Sequence, residues 1–300
     1  MQIIRVFGIT FTFQTTEENS KNPKKPENHH LFSHVNLAQG HWDQSRNFRI
    51  FEHVLTGADF PALSQLYDVT LVTQSSLDKL HWLSQVGKTW SGPISLALFV
   101  PDIEFDFAAK FLHHLINCDD TLRSKLAVHL IYPIGDMQLF LARLDGAFKV
   151  DFHRFADKPP KHVEMWDFHF NCSMNTAKVL QILFSDHELK KAEFTGWRTT
   201  YPYPQNLARN VARKGANTKF SFVLDIDVIP SADSARTLAK FLAINACPMC
   251  AFVIATYELD ATAKFPQNKS ELRQCVAHKK ARPFHQVVFK LNQFATNFSQ

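Results

Sequence analysis

The chain has 300 residues, 45% of them hydrophobic, enough for one large domain or two ordinary ones with a sizeable core. Its formal charge of +5 is spread without a dense Lys/Arg tract, which makes nucleic acid a poor partner, while an acidic small substrate fits. Gly is scarce, at 9 residues, and neither G-x-G-x-x-G nor G-x-x-x-x-G-K-[ST] occurs, so dinucleotide and P-loop sites lose their main support.

The amino-terminal MQIIRVFGITFTF is apolar but short and broken by Arg5. It lacks the length of a membrane span and a small-residue cleavage site, and reads as an edge strand or the remnant of an anchor. Residues 14–30, QTTEENSKNPKKPENHH, are polar and read as a linker or disordered tail. Residues 31–59 regain Phe, Val, Leu and Ile without a clean period. The division that follows is an N-terminal extension over residues 1–66 and one domain over 67–300.

From Tyr67 the pattern alternates. Val69–Thr73 is a β-branched strand ended by Gln74, Ser75 and Ser76, with Ser76 placed to cap a helix carrying Leu77, Leu80, His81, Leu83 and Trp90. Gly92-Pro93 breaks that helix, and Ile94–Val100 is a second buried strand. A helix through Phe107, Phe111, Leu112 and Leu115 leads to a third strand over Ala127–Tyr132. Strands alternating with helices predict an α/β fold with a largely parallel sheet, whose ligands bind at the carboxyl ends of the strands.

Residues 136–200 are rich in aromatics and His (His153, His162, His169 and His187) but contain no facing His pair, so loop and surface histidines are expected. Five cysteines (Cys118, Cys172, Cys247, Cys250 and Cys275) leave at least one thiol unpaired within the chain. Cys247-Pro-Met-Cys250 has C-x-x-C spacing but no second pair to complete a zinc site, and reads as two semi-buried or bridged thiols. Sequons at Asn171, Asn268 and Asn297 matter only in a secretory chain.

A helix is predicted within Tyr203–Ala216, with Leu207 and Val211 on one face, Asn206, Asn210, Arg209 and Arg213 on others, and Gly215 as C-cap. It leads into Phe222–Ser231, an apolar run carrying Asp225 and Asp227. In an extended chain the two carboxylates face one way, and Leu224, Ile226 and Val228 face the core. Paired carboxylates at a buried strand end repel each other and call for a cation; oxygen ligands suit Mg²⁺ or Mn²⁺ bridged to substrate phosphates. A solvated acidic turn is the plain alternative. Beyond Pro230 follow a helix with Ala235, Leu238, Phe241 and Leu242, capped by Ser231 or Asp233, and a buried strand over Ala251–Ala255.

The string YPQNLARNVARKGANTKFSFVLDIDVIPS resembles the core of the beta-1,4-glucuronyltransferase family, which includes the glucuronyltransferase domain of LARGE-type enzymes. VTLVTQSSLDKLHWL and SGPISLALFV upstream agree with it. So do Tyr257-Glu258, Phe265-Pro266, Asn268-Lys269, Glu271-Leu272, Arg282-Pro283-Phe284 and Thr296-Asn297-Phe298-Ser299 downstream. The resemblance implies a GT-A fold binding a UDP-sugar beside Mn²⁺ or Mg²⁺. Asp227 would touch the metal, and Asp225 would be shared between ribose and metal. Thr73, Gln74 and Ser75 would line the uridine pocket, and Asn206, Arg209 and Arg213 would steady the donor or the carboxylates, Arg209 alternatively as a structural partner of Asp225.

The implied reaction is inverting transfer of glucuronate from UDP-glucuronate to a xylose-type acceptor on O-mannosyl or related glycans of a glycoprotein, in the Golgi. No residue is singled out as general base; Lys269 or Arg273 would meet the uronate carboxylate. UDP-N-acetylglucosamine is the alternative donor. The family also continues past Ser299 with a further metal-ligand histidine, a role that proximity alone does not assign to His278 or His285. The domain therefore reads as incomplete at Gln300, and a non-catalytic member that binds a partner glycosyltransferase is the rival expectation.

Overall fold

The structure is a computed structural model describing residues 4–6, 40–101, 104–133, 171–185, 201–245 and 250–289. The predicted α/β architecture is present as a six-stranded sheet in the order β2-β3-β6-β5-β4-β7. β4 (Val69–Ser76), β5 (Ile94–Phe99), β6 (Leu126–Pro133) and β7 (Phe220–Val223) run parallel to one another. β4, β5 and β6 are almost wholly buried, as expected of strands covered by helices on both faces.

β2 (His41–Trp42) and β3 (Phe48–Thr56) extend the sheet antiparallel beyond β6. The sheet thus includes residues of the stretch read as an N-terminal extension. β3 escapes a period-2 reading because its register shifts between Phe51 and Leu55, and His53 adopts a left-handed φ of 51° there.

Helices α1 (Phe60–Tyr67), α2 (Leu83–Thr89), α3 (Phe105–Asn117), α4 (Asp120–Lys125), α5 (Thr176–Ser185) and α7 (Ser234–Ile244) occur along the chain, with α6 (Gln205–Lys214) preceding β7. On one sheet face, Leu71, Leu96 and Val128 share a core with Phe111, Leu183 and Leu238. On the other, Val72, Ala97 and Ile131 meet Ala208, Val211 and Ala212 of α6, whose small residues let the helix lie close to the sheet.

The helix predicted after Ser76 is a 3₁₀ turn over Leu77–Trp82 continued by α2, and Ser76 does not cap it. Its hydroxyl donates to Asp78 Oδ1 at 2.6 Å instead. The C-terminal end of α2 is satisfied from inside. Buried Lys125 donates to the carbonyls of Gly87 at 2.7 Å and Trp90 at 2.6 Å. A Cys118–Cys172 disulfide ties the end of α3 to the segment before α5. Cys250 is disulfide-bonded and Cys275 is free, while Cys247 lies outside the described residues.

Residues 251–255 are not the predicted buried strand. They are irregular, and Val253 is exposed, because no neighbouring strand among the described residues pairs with them. The strand is β8 (Tyr257–Leu259), central in a small antiparallel sheet with β1 (Ile4–Val6) and β9 (Ala281–Pro283). The amino-terminal residues 4–6 are therefore an edge strand. β8 and β9 explain two of the resemblance motifs: Glu258 lies opposite Arg282 and accepts from its Nε at 2.7 Å. Burial raises the Glu258 carboxyl, but the bonds from Arg282 and the His285 N–H outweigh it and hold it below the usual range. A third motif is a capping box. Asn268 accepts from the Glu271 N–H and donates to its carboxylate at the start of α8 (Lys269–Ala277). Among the described residues no helix is long and apolar enough to cross a membrane. His153, His162, His169, His187 and Asn297 lie outside the described residues.

Candidate functional site

The strand order turns back on itself at β4. From β4 the chain builds outward through β5 to β6, then returns to place β7 on the other side of β4. A crevice at such a reversal, at the carboxyl ends of the strands, is where open α/β sheets bind ligands. Gln74, Ser75 and Ser76 end β4 there, and Asp225 and Asp227 follow β7.

The two carboxylates do not sit on an extended strand. β7 ends at Val223, Leu224 N–H still reaches Val72 O at 2.9 Å, and the chain then turns, with Val228 N–H donating to Asp225 O at 2.9 Å. Leu224, Ile226 and Val228 are nevertheless buried, as the alternation required, and they anchor a turn that lifts both aspartates to the rim.

Asp225 Oδ1 accepts from Gln74 Nε2 at 2.9 Å and from Arg209 Nη2 at 2.7 Å. Gln74 is oriented in turn by Tyr203, whose hydroxyl donates to Gln74 Oε1. Burial, and then the Asp225 charge, push the Tyr203 phenol well above the usual tyrosine range, so it stays protonated as a donor. Asp227 Oδ2 meets Lys79 Nζ at 3.3 Å, from the 3₁₀ turn after β4.

β-strand alternation divides the predicted uridine residues. Gln74 lies on the α6 side with Val72. Thr73 belongs to the opposite face, where its buried hydroxyl has no hydrogen-bond partner among the described residues. Ser75 is buried and donates to Ser76 O at 2.7 Å. Of the α6 residues, Arg209 contacts the pair; Arg213 is half-buried one turn further on, and Asn206 is exposed. Lys269 and Arg273 are exposed on α8, beside the small sheet.

Lys79 and Tyr203 are not among the sequence candidates. Tyr203 opens the string that carries the resemblance, which was its available signal; a lone lysine in a polar turn offers none.

Behind Arg209, a buried chain of hydrogen bonds fixes α6. His53 N–H donates to His129 Nδ1 at 2.9 Å, so the His129 proton resides on Nε2, 3.0 Å from Ser95 Oγ, and Ser95 donates to Ala212 O at 2.6 Å. Gly215 packs directly on the same imidazole: a Cβ there would overlap the ring. Its φ of −75° shows that it is required for this close approach, not as a left-handed cap.

Among the described residues no three His, Cys, Asp or Glu side chains converge as a closed metal site. Asp225 Oδ2 and Asp227 Oδ1 accept no hydrogen bond from described residues. Two carboxylates with open oxygens suit a Mg²⁺- or Mn²⁺-type ion that completes its shell with water and substrate phosphate.

A family described as "Glycosyl-transferase for dystroglycan" matches residues 68–300. The chain belongs to this family. Its six-stranded sheet with flanking helices is a GT-A-type fold, as the resemblance implied. Among relatives of this dystroglycan glycosyltransferase family, the chain is 25% identical over 295 residues to Beta-1,4-glucuronyltransferase 1 of Danio rerio, covering 96% of this chain and 63% of that protein. It is 27% identical over 263 residues to the Homo sapiens protein of the same name, covering 86% and 55%. With Xylosyl- and glucuronyltransferase LARGE2 of Mus musculus it shares 26% identity over 217 residues, 71% of this chain and 22% of that protein. The chain thus spans a little over half the length of the glucuronyltransferases it matches.

Proposed function

We propose that this chain forms the donor-binding part of a metal-dependent inverting glycosyltransferase that moves glucuronate from UDP-glucuronate to a xylose-type acceptor on a glycoprotein glycan in the Golgi. The observation that carries the reading is the Asp225–Asp227 turn at the carboxyl ends of β4 and β7, with Asp225 held from β4 by Gln74 and from α6 by Arg209. The names of the glucuronyltransferase relatives support the donor.

In this reading Asp227, with Asp225, holds Mn²⁺ or Mg²⁺. Such an ion supplies Lewis-acid stabilisation of charge on the departing diphosphate. Gln74, oriented by Tyr203, and Arg209 fix the Asp225 carboxylate in place before the donor arrives, so no reorganisation is needed at reaction. The acceptor hydroxyl oxygen attacks the anomeric carbon as its bond to the diphosphate breaks; the acceptor proton passes to water and UDP departs with the bonding electrons.

The test is transfer and hydrolysis across a panel of UDP-sugars with Mn²⁺ and a xyloside acceptor. UDP-glucuronate is expected to be preferred, and Asp227→Asn to lower turnover by about a hundredfold or more. Preference for UDP-N-acetylglucosamine overturns the donor, and activity indifferent to Asp227→Asn overturns the site.

A further inference from the structure

The two aspartates are held in different ways. Asp225 is fixed by two donors from separate elements, one the amide of buried Gln74 and one a guanidinium at 2.7 Å. Asp227, with a side chain only 17% exposed, has a single charged partner among the described residues: Lys79, at 3.3 Å and 54% exposed. A largely buried carboxylate is thus neutralised by a long, solvated and weakly held ammonium, a geometry that lets the partner leave without disturbing the fold.

We propose that Lys79 is an exchangeable counter-ion: it covers Asp227 in the unloaded protein, then moves to the diphosphate when metal and nucleotide load together. The inference rests on the metal-site reading above. A divalent cation on the open Asp227 Oδ1 loosens the ammonium held at Oδ2, because the two like charges lie a few ångströms apart and repel. Metal arriving alone binds against that repulsion or drives Lys79 into solvent. Metal arriving with a nucleoside diphosphate gives Lys79 a new anionic partner beside the one it loses. Metal and nucleotide therefore bind with positive coupling, and each raises the affinity for the other by the same factor. The aspartates of an unloaded protein are also shielded from capturing free divalent ions.

Calorimetry of Mn²⁺ alone, UDP alone and Mn²⁺ with saturating UDP, on the wild type, Lys79→Met and Asp227→Asn, tests this without relying on turnover. Lys79→Met, at an exposed position, is expected to bind Mn²⁺ alone about three- to fivefold more tightly, as for loss of an exposed ion pair. The factor by which UDP enhances Mn²⁺ binding is expected to fall by at least as much, and affinity for UDP with Mn²⁺ to weaken. Mn²⁺ affinity that is unchanged or weaker in Lys79→Met, while Asp227→Asn abolishes wild-type binding, overturns the role of Lys79 and leaves the metal site standing. Absence of Mn²⁺ binding to the wild type even with UDP, or binding untouched by Asp227→Asn, overturns both.

Discussion

Gln74 Nε2 donates to Asp225 Oδ1 at 2.9 Å, bridging the end of β4 to the turn after β7 across the reversal of strand order. The same oxygen accepts from Arg209 at 2.7 Å, so one carboxylate oxygen joins two strands and α6. Gln74→Leu is expected to leave Tyr203 and Asp225 each short of a partner and to cost about 1–3 kcal/mol of stability. Arg209→Leu, whose ion pair is a third exposed, is expected to cost less than about 1 kcal/mol. Both should weaken UDP binding in the presence of Mn²⁺. Urea unfolding and calorimetry on each variant check the two effects separately.

His129 carries a pH dependence. Burial first, and the neighbouring His53 second, lower its pKa from 6.5 to about 3. Below about pH 6.5 the unfolded chain takes up a proton that the folded chain refuses until about pH 3. This contribution to stability is complete above pH 6.5 and declines through that window, by up to about 4 kcal/mol. The difference between the urea midpoints of wild type and His129→Gln, followed from pH 7 to pH 4, is expected to shrink as pH falls. A parallel pair of profiles would remove His129 as the cause.

Lys125 acts through carbonyls rather than through a carboxylate. Its ammonium is buried and bonds the last carbonyl groups of α2. Burial, opposed by the charge of Asp119, lowers its pKa. Lys125→Met keeps the stem but leaves two carbonyls unsatisfied, with an expected loss of about 2–3 kcal/mol. A lower denaturation midpoint at unchanged m-value is the readout.

The Cys118–Cys172 bridge closes a loop with a sequence separation of 54. Chain-entropy arguments put its contribution at roughly 4 kcal/mol. The double variant Cys118→Ala, Cys172→Ala is expected to melt at a markedly lower temperature, and the wild type to move towards it in strong reductant. Calorimetric scans with and without reductant check this.

Much of the sheet was legible because its central strands are buried on both faces and therefore appear as mostly apolar runs, interrupted only by Thr70, Thr73, Ser95 and His129: Val69–Thr73, Ile94–Val100 and Ala127–Tyr132. β3 was not, because a bulge at His53 shifts the alternation midway. Residues 251–255 misled in the opposite direction: an apolar run is a strand only if a neighbour offers it hydrogen bonds, and neighbours are not written in local sequence.

The candidate site divides along the same line. By itself the sequence determined the Asp225–Asp227 pair and the buried residues that anchor it, since these follow from spacing along one stretch of chain; Arg209 entered with Asn206 and Arg213 through the resemblance, and spacing did not choose among them. Only the tertiary structure decided which groups meet the pair. Gln74 and Lys79 lie about 150 residues away, with separations of 151 and 148 in sequence. Their approach depends on β7 returning to pair with β4. Pleating then turns Gln74 toward the aspartates and Thr73 away. A strand register, set by the packing of the whole sheet, chose among neighbours that the sequence presents as equals.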